Sequence, residues 1–431
     1  MRFRILIAIA IASIVYNNAW SAEPAPIVVL KAAHLFDGKS GRLTHGGVIV
    51  VQGEKILSVG NAQSAPAGAR VIDLGDATLM PGFIDAHTHI TSELPEDFYR
   101  GFHAQIYRFP VEQSFYAAAY AKRTLDAGFT TIRNLGASDF VDIGLRNAIK
   151  SGIAVGPTIV AAAHSVGSTG GHCDNGPFPP DTIAPSGPMR GVCNGADECR
   201  AAVRFQMKWG ADVIKICASG GVLSEADPVD VPQLTPEELH AIVSEAHAWK
   251  KKVAAHSHGD VAARMAVEAG VDSIEHASFL SDDTLKLMKS KGTYLVPTRL
   301  AVFWVNEKAP GFPPAIAEKS RAAWSGHEKM MKSAMQIGVP MAYGTDTGVS
   351  PHGMNGREFG LLTQLGMSPA AALMTSFQGA AKLLGLEAEI GALEVGKLAD
   401  IVAVKGNVLN DITTTEKPVF VMKRGAVVVA P

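Results

Sequence analysis

The sequence predicts an α/β protein, a TIM (β/α)8 barrel with a small β-sandwich assembled from the two ends of the chain. From residue 81 onward, short strand-like runs at 83–89, 130–135, 158–164, 213–218, 253–256, 273–276, 293–297 and 341–346 alternate with helix-like stretches. That alternation is the pattern of parallel strands joined by helical crossovers. Several of the runs close on histidine or aspartate, and C-terminal strand ends are where such a barrel collects its chemistry. The flanks read differently: 27–77 and 391–429 are sets of β-like runs, broken in the first flank at Asp37-Gly38, Gly46-Gly47 and Gly53. Left unpaired, such edges invite aggregation, so the two flanks are expected to pair with each other. The expected division is a composite β-sandwich of 27–80 and 387–431 around a barrel of 81–386.

Residues 1–22 stand outside that scheme. Arg2 and Arg4 precede an apolar stretch at 5–15, and Ala19-Trp20-Ser21 places small residues where a signal peptidase reads them. A secretory signal peptide cleaved near Ala22 is expected, and with it a periplasmic or secreted enzyme. The apolar run is short of the roughly 20 residues that span a bilayer, so no stable membrane anchor is expected. An oxidising compartment permits disulfides among Cys173, Cys193 and Cys199, which share one irregular stretch, with no pairing preferred. Cys217, inside an apolar strand, reads as a buried thiol. Within the barrel, Thr235-Pro236-Glu237-Glu238 begins a helix with a capping box and proline at its first position. Ser368-Pro369 begins another, running toward Gly385.

The bulk numbers exclude some functions. Apolar residues at 47% and charged residues at 19% describe an ordinary globular chain. A net charge of -2 removes the electrostatic case for nucleic acid.

In a strand, side chains two apart share a face, so His87 and His89 reach one ion together. Strand ends further along add Lys215, His256, His276 and Asp346. With Pro81-Gly-Phe-Ile-Asp-Ala-His-Thr-His89, Val213-Ile-Lys-Ile216, Ala254-Ala-His-Ser-His258, Ile274-Glu-His276, Tyr343-Gly-Thr-Asp346 and the later Gly391-Ala-Leu-Glu-Val-Gly-Lys-Leu-Ala-Asp400, the chain resembles the amidohydrolase superfamily. The likeness covers essentially the whole mature chain. Ser219-Gly-Gly-Val-Leu-Ser224, Gly170-Gly-His172 and Thr345-Asp-Thr-Gly348 resemble the branch of Xaa-Pro dipeptidases and ochratoxinases. Where relatives often carry tyrosine before the Thr-Pro-Glu-Glu helix, this chain has Leu234 and loses that hydroxyl.

The resemblance implies that Lys215 is carboxylated to N6-carboxylysine and bridges two divalent metal ions held by His87, His89, His256, His276 and Asp346. Physical chemistry explains the bridge: two dications about 3.7 Å apart repel by roughly 18 kcal/mol at an effective dielectric of about 20, and neutral imidazoles cancel none of it. Histidine and carboxylate donors suit Zn2+ best, with Mn2+ or Co2+ accepted. A bridging hydroxide is the expected nucleophile, and Asp346 the catalytic residue that takes its proton and passes it to the leaving nitrogen. Asp85 is a candidate support for the metal histidines.

Candidate substrate-binding residues are Ser92, His164, His172, Val222, Leu223, His258 and His352, while His34, His45, His103, His240, His247 and His327 read as structural or solvated. The expected activity is release of a C-terminal amino acid from a dipeptide or N-acyl amino acid, ochratoxin A among them, by a homo-oligomer of unstated size. A cyclic-amide hydrolase of imidazolonepropionase type is the alternative. A pseudoenzyme would have lost metal ligands, and none is lost. Loops 90–92 and 220–223 are expected to wall the mouth with no fixed charge but Glu93, favouring apolar substrates.

Overall fold

The computed structural model describes residues 26–60, 65–95, 97–174, 176, 185–225 and 227–431. The expected signal peptide at 1–22 lies outside them. The described strands are β1 (Ile27–Phe36), β2 (Leu43–Gln52), β3 (Lys55–Gly60), β4 (Arg70–Asp73), β5 (Ala77–Pro81), β6 (Phe83–Thr88), β7 (Phe129–Asn134), β8 (Thr158–Ala161), β9 (Val213–Cys217), β10 (Lys252–Ser257), β11 (Ser273–His276), β12 (Tyr294–Val296), β13 (Ile401–Lys405), β14 (Phe420–Lys423) and β15 (Ala426–Val429).

The two flanks do pair, through β5 and β13, which run antiparallel with Ile401 opposite Pro81. The result is one eight-stranded sheet in the order β15-β14-β13-β5-β1-β2-β3, with β4 beside β1. Period-two alternation along β13 shows how it is seated: Ile401 and Ala403 join Leu30, Ile49 and Phe420 in a core of the terminal strands. Val402 and Val404 face the opposite way, into the main core with Phe83 and Phe129.

Between the flanks, parallel strands alternate with helices. They form two sheets, β6-β7-β8 and β12-β11-β10-β9. The expected eighth strand at 341–346 makes no ladder. Its Tyr343 carbonyl accepts from Ala86 N at 2.8 Å, but both Thr345 N and Asp346 N turn onto the single carbonyl of His87, which breaks the strand repeat. Single bridges at Thr88 with Thr347, Leu295 with Met341 and Val166 with Ile216 lie between the two sheets.

Two helical expectations meet different outcomes. The helix Pro236–Ala248 starts with the expected capping box between Thr235 and Glu238. The one after Ser368 runs to its left-handed cap at Gly385 as expected, but with a π-turn at Thr375–Gly379 set between Pro369–Met374 and Ala380–Leu384. The interruption serves packing against β6, since Ser376 Oγ accepts from Ile84 N at 2.8 Å and donates to Ile84 O at 2.9 Å. No described helix is long and apolar enough to cross a membrane.

All four cysteines are paired, Cys173 with Cys217 and Cys193 with Cys199. Cys217 is therefore not a thiol. It sits two residues after Lys215 on β9, on the same face, and that face opens to the loop carrying Cys173 rather than to the core. By loop-closure entropy the 44-residue separation should contribute about 4 kcal/mol and the 6-residue one about 2 kcal/mol. Denaturant unfolding of the double variant Cys173→Ser/Cys217→Ser is thus expected to show the larger loss. A larger loss in Cys193→Ser/Cys199→Ser would contradict that ordering.

Candidate metal centre and substrate cavity

The ends of β6, β9, β10 and β11 open on a cavity of about 1140 Å³, lined among others by His89, Lys215, His256, His276 and Asp346. Beneath His89, the fully buried His87 completes the closest cluster. Among the described residues, His87, His89 and Asp346 bring one ligand atom each within 4.8 Å of one another. The Oδ1 of Asp346 lies 3.3 Å from Nε2 of His87 and 3.3 Å from Nε2 of His89. His87 Nε2 and Asp346 Oδ1 are buried without a hydrogen-bond partner. Buried polar atoms are rarely left so, and donors of this type converging on one point fit a divalent cation.

The remaining ring nitrogens show why. His87 Nδ1 meets Glu275 Oε2 at 2.8 Å, which fixes the proton on Nδ1 and leaves Nε2 as a lone-pair donor. His276 Nδ1 meets Thr298 Oγ1 at 2.7 Å, and His256 Nε2 meets the Gly220 carbonyl at 3.1 Å. His276 thereby keeps Nε2 free and His256 keeps Nδ1. Their rings stand 4.6 Å apart. Burial pushes His89 down to about 4 and drives His256 and His276 well below the usual imidazole range. Neutral imidazoles are what a metal requires.

Burial likewise pushes the Lys215 ammonium down to about 8, against the attraction of Glu275 and Asp346. Both acids are far from Lys215 in sequence and are brought to it by the fold. For Asp346, burial opposes ionisation, yet the flanking His87, His89 and Lys215 hold its carboxyl below the ordinary value.

Glu275 escaped the sequence reading, as did its partner Arg133. Both are fully shielded, with Arg133 Nη2 3.0 Å from Glu275 Oε1. Ser273 Oγ adds a bond to the same oxygen at 2.5 Å. Burial works to raise the Glu275 carboxyl, but Arg133 and His87 hold it down to about 2. A carboxylate inside the strand-like run 273–276 was the available signal, since such a group is seldom buried unless paired. Asp85 supports the centre differently from expectation. Its carboxylate accepts from His87 N, Thr345 N, Thr345 Oγ1 and Asn355 Nδ2 at 2.6–3.1 Å, tying β6 to segment 341–346 by the backbone rather than by an imidazole.

The other candidates divide. His172 and His258 face the cavity with Nδ1 tied to Ser224 Oγ and Ser278 Oγ, both at 2.9 Å. Ser92, His164, Val222 and Leu223 also line it. His352 does not: its Nε2 is bonded to the Ser92 carbonyl at 2.8 Å and its ring stacks on Tyr120. Leu234 is in the core and offers the cavity nothing. The expected uncharged mouth is corrected, because Arg100, Arg108, Asp139 and Arg190 line it too. Arg100 arrives on helix Phe98–Tyr107 with Arg108 at its C-cap, Arg190 on the short turn Pro188–Arg190, and Asp139 in the loop that follows β7. Glu93, the one charge foreseen, is paired with Arg123 at 2.9 Å.

Comparison with known proteins agrees with this geometry. Residues 78–428 match the model of the amidohydrolase family. An ochratoxinase of Aspergillus niger is 30% identical over 419 residues, covering 92% of this chain and 85% of its own. A solved Xaa-Pro dipeptidase with methionine bound in its active site superposes with a TM-score of 0.89 at 39% identity, over 93% of this chain and 99% of that one. A prolidase solved with N-methylphosphonate-L-proline gives 0.85 at 29% identity, over 94% and 100%.

Glu275→Gln should weaken divalent-metal binding by about tenfold to a hundredfold, because Arg133 and Ser273 hold the amide oxygen on their side and turn its NH2, a donor, toward His87 Nδ1. Competition titration against a chelator measures this. Wild-type affinity in the variant would show that Glu275 does not orient the ligand.

Proposed function

Because the chain belongs to the amidohydrolase family, we propose that it is a metal-dependent amide hydrolase releasing an apolar C-terminal amino acid from dipeptides or N-acyl amino acids. The observation that carries this reading is the convergence of buried, unpartnered His87 Nε2 and Asp346 Oδ1 with His89 Nε2 beside a large cavity. His87, His89 and Asp346 would hold one divalent cation and His256 and His276 a second. Lys215, as a carbamate formed on its amine, would join them, and burial favours the neutral amine that such a reaction needs. Zinc suits the donor set best. When bound, the cations supply Lewis acidity toward water and toward the scissile carbonyl.

The chain's own groups do the rest. Asp346, ionised at neutral pH, accepts a proton from the attacking water and returns it to the leaving amine. His172 and His258, each anchored at Nδ1 by a serine, present the other ring nitrogen to the substrate's carbonyl or carboxylate. Leu94, Ile106, Val222, Leu223 and Val305 give the amino-acid or acyl side chain apolar walls, and Arg100 and Arg190 give a free carboxylate its counter-charge without the hydroxyl lost at Leu234.

We read the scaffold for this chemistry as a (β/α)8 barrel over 81–386, a reading that the isolated bridges flanking the two parallel sheets support, with a composite β-sandwich of 27–80 and 387–431. Paired cysteines support a periplasmic or secreted location after removal of residues 1–22.

A substrate panel tests the function. N-acyl and dipeptidyl amides of phenylalanine, leucine and proline, with ochratoxin A among them, should release amino acid, and a chelator should stop the release. Turnover restricted to cyclic ureides, or a tenfold preference for aspartate or lysine at the C-terminus, would overturn the reading. Asp346→Asn should lose at least about a hundredfold in kcat, since an amide cannot carry the proton. Unchanged kcat would remove Asp346 from the mechanism.

A further inference from the structure

Lys319 stands on the long helix Pro314–Ile337, outside every motif discussed above. Its side chain is only 15% exposed. The ammonium donates to three backbone carbonyls of a single loop: Gly221 at 3.3 Å, Ser224 at 2.6 Å, and Asp227. An ammonium has three donors, and all three are used. The Asp227 carboxylate lies 3.8 Å away and spends its other oxygen on Gly221 N at 3.2 Å and Gln233 Nε2 at 2.6 Å. Converging carbonyls with one carboxylate nearby make the cage of a monovalent cation, here filled by an ammonium on a tether.

Among the described residues, the loop so held has no helix or strand of its own between β9 and helix Pro236–Ala248. Nor can it be stiffened by bulk, because a Cβ on Gly221 would lie 2.1 Å from the His172 ring. Yet three site features depend on it. The Gly220 carbonyl sets which nitrogen of His256 faces the cavity. Ser224 Oγ fixes His172 Nδ1, and Gln233 Oε1 accepts from His172 N at 2.8 Å. Val222 and Leu223 pack toward Val305 and Ile316 while lining the cavity.

We infer that Lys319 is a positioning residue, a tethered cation that fixes the 220–227 loop and, through it, His172 and His256. Its kinetic consequences rest on the amide-hydrolase reading, and its geometry does not. Arginine, a planar fork, cannot satisfy three carbonyls converging on one point, and methionine fills the space while donating nothing.

Three measurements on the full mature chain test the role. In Lys319→Met, hydrogen exchange at the 220–227 amides should quicken at least tenfold while the helix cores keep wild-type protection. For an N-acyl phenylalanine, KM should rise about tenfold and kcat fall less, because the pocket wall loosens more than the reacting groups. In Lys319→Ala, which empties the cage, methylammonium or K+ at tens of millimolar should restore loop protection and KM, and the same salts should do nothing for Lys319→Met. Should Lys319→Met not fold, Lys319→Arg keeps the charge and is expected to show the same loop-confined exchange. Wild-type exchange at 220–227 in these variants, or a Lys319→Ala defect that neither cation relieves, would overturn the role. A wild-type protein that cleaves no amide would sink the proposed function instead, leaving the exchange and cation-rescue measurements to decide Lys319.

Discussion

A carboxylate and a guanidinium buried against each other hold the strands of the site in one arrangement. Glu275 on β11 and Arg133 on β7 are both shut off from solvent, and the second oxygen of Glu275 carries the ring of His87 on β6. Arg133 Nε also reaches the Ala86 carbonyl at 2.5 Å, next to the imidazole it indirectly orients. Either partner alone would be an uncompensated buried charge costing about 3–5 kcal/mol, so the pair is kept whole or lost whole. Its presence makes the orientation of His87 a property of the core rather than of the cavity surface.

The site itself is strained, and that core bears the cost. His276, Ala277, Thr298 and Asp346 all take left-handed backbone angles, with φ between 51° and 70°. Each such non-glycine residue costs on the order of 1–3 kcal/mol. They cluster where strands end and the candidate donors begin. The turn at Asp346 brings its carboxylate back over His87 and His89. The turn at Thr298 places a hydroxyl against His276. The same turn that aims Asp346 also takes segment 341–346 out of regular strand pairing, so the missing ladder and the placed ligand have one cause.

The sequence was legible where chemistry follows period and type. The parallel β/α alternation, the capping box at Thr235 and the facing pair His87 and His89 were all readable, because each is a local rule about spacing. What needed coordinates was set by long-range packing. Glu275 and Arg133 are 142 residues apart, and neither advertises the other. Cys217 looked like core because its strand is apolar, and only the facing loop shows that its side of β9 is the cavity wall. Arg100 and Arg190 reach the mouth on segments with no strand end in them, and Lys319 acts through backbone carbonyls that no side-chain motif encodes.

Direct metal analysis of the purified protein tests the central claim, that the buried donors around His87 and Asp346 are a metal centre. After exhaustive dialysis the wild-type chain should retain divalent metal at up to two equivalents, and the variant His87→Ala should lose at least one of them along with hydrolysis. A wild-type protein that hydrolyses amides with no retained metal and no response to chelators would contradict the account.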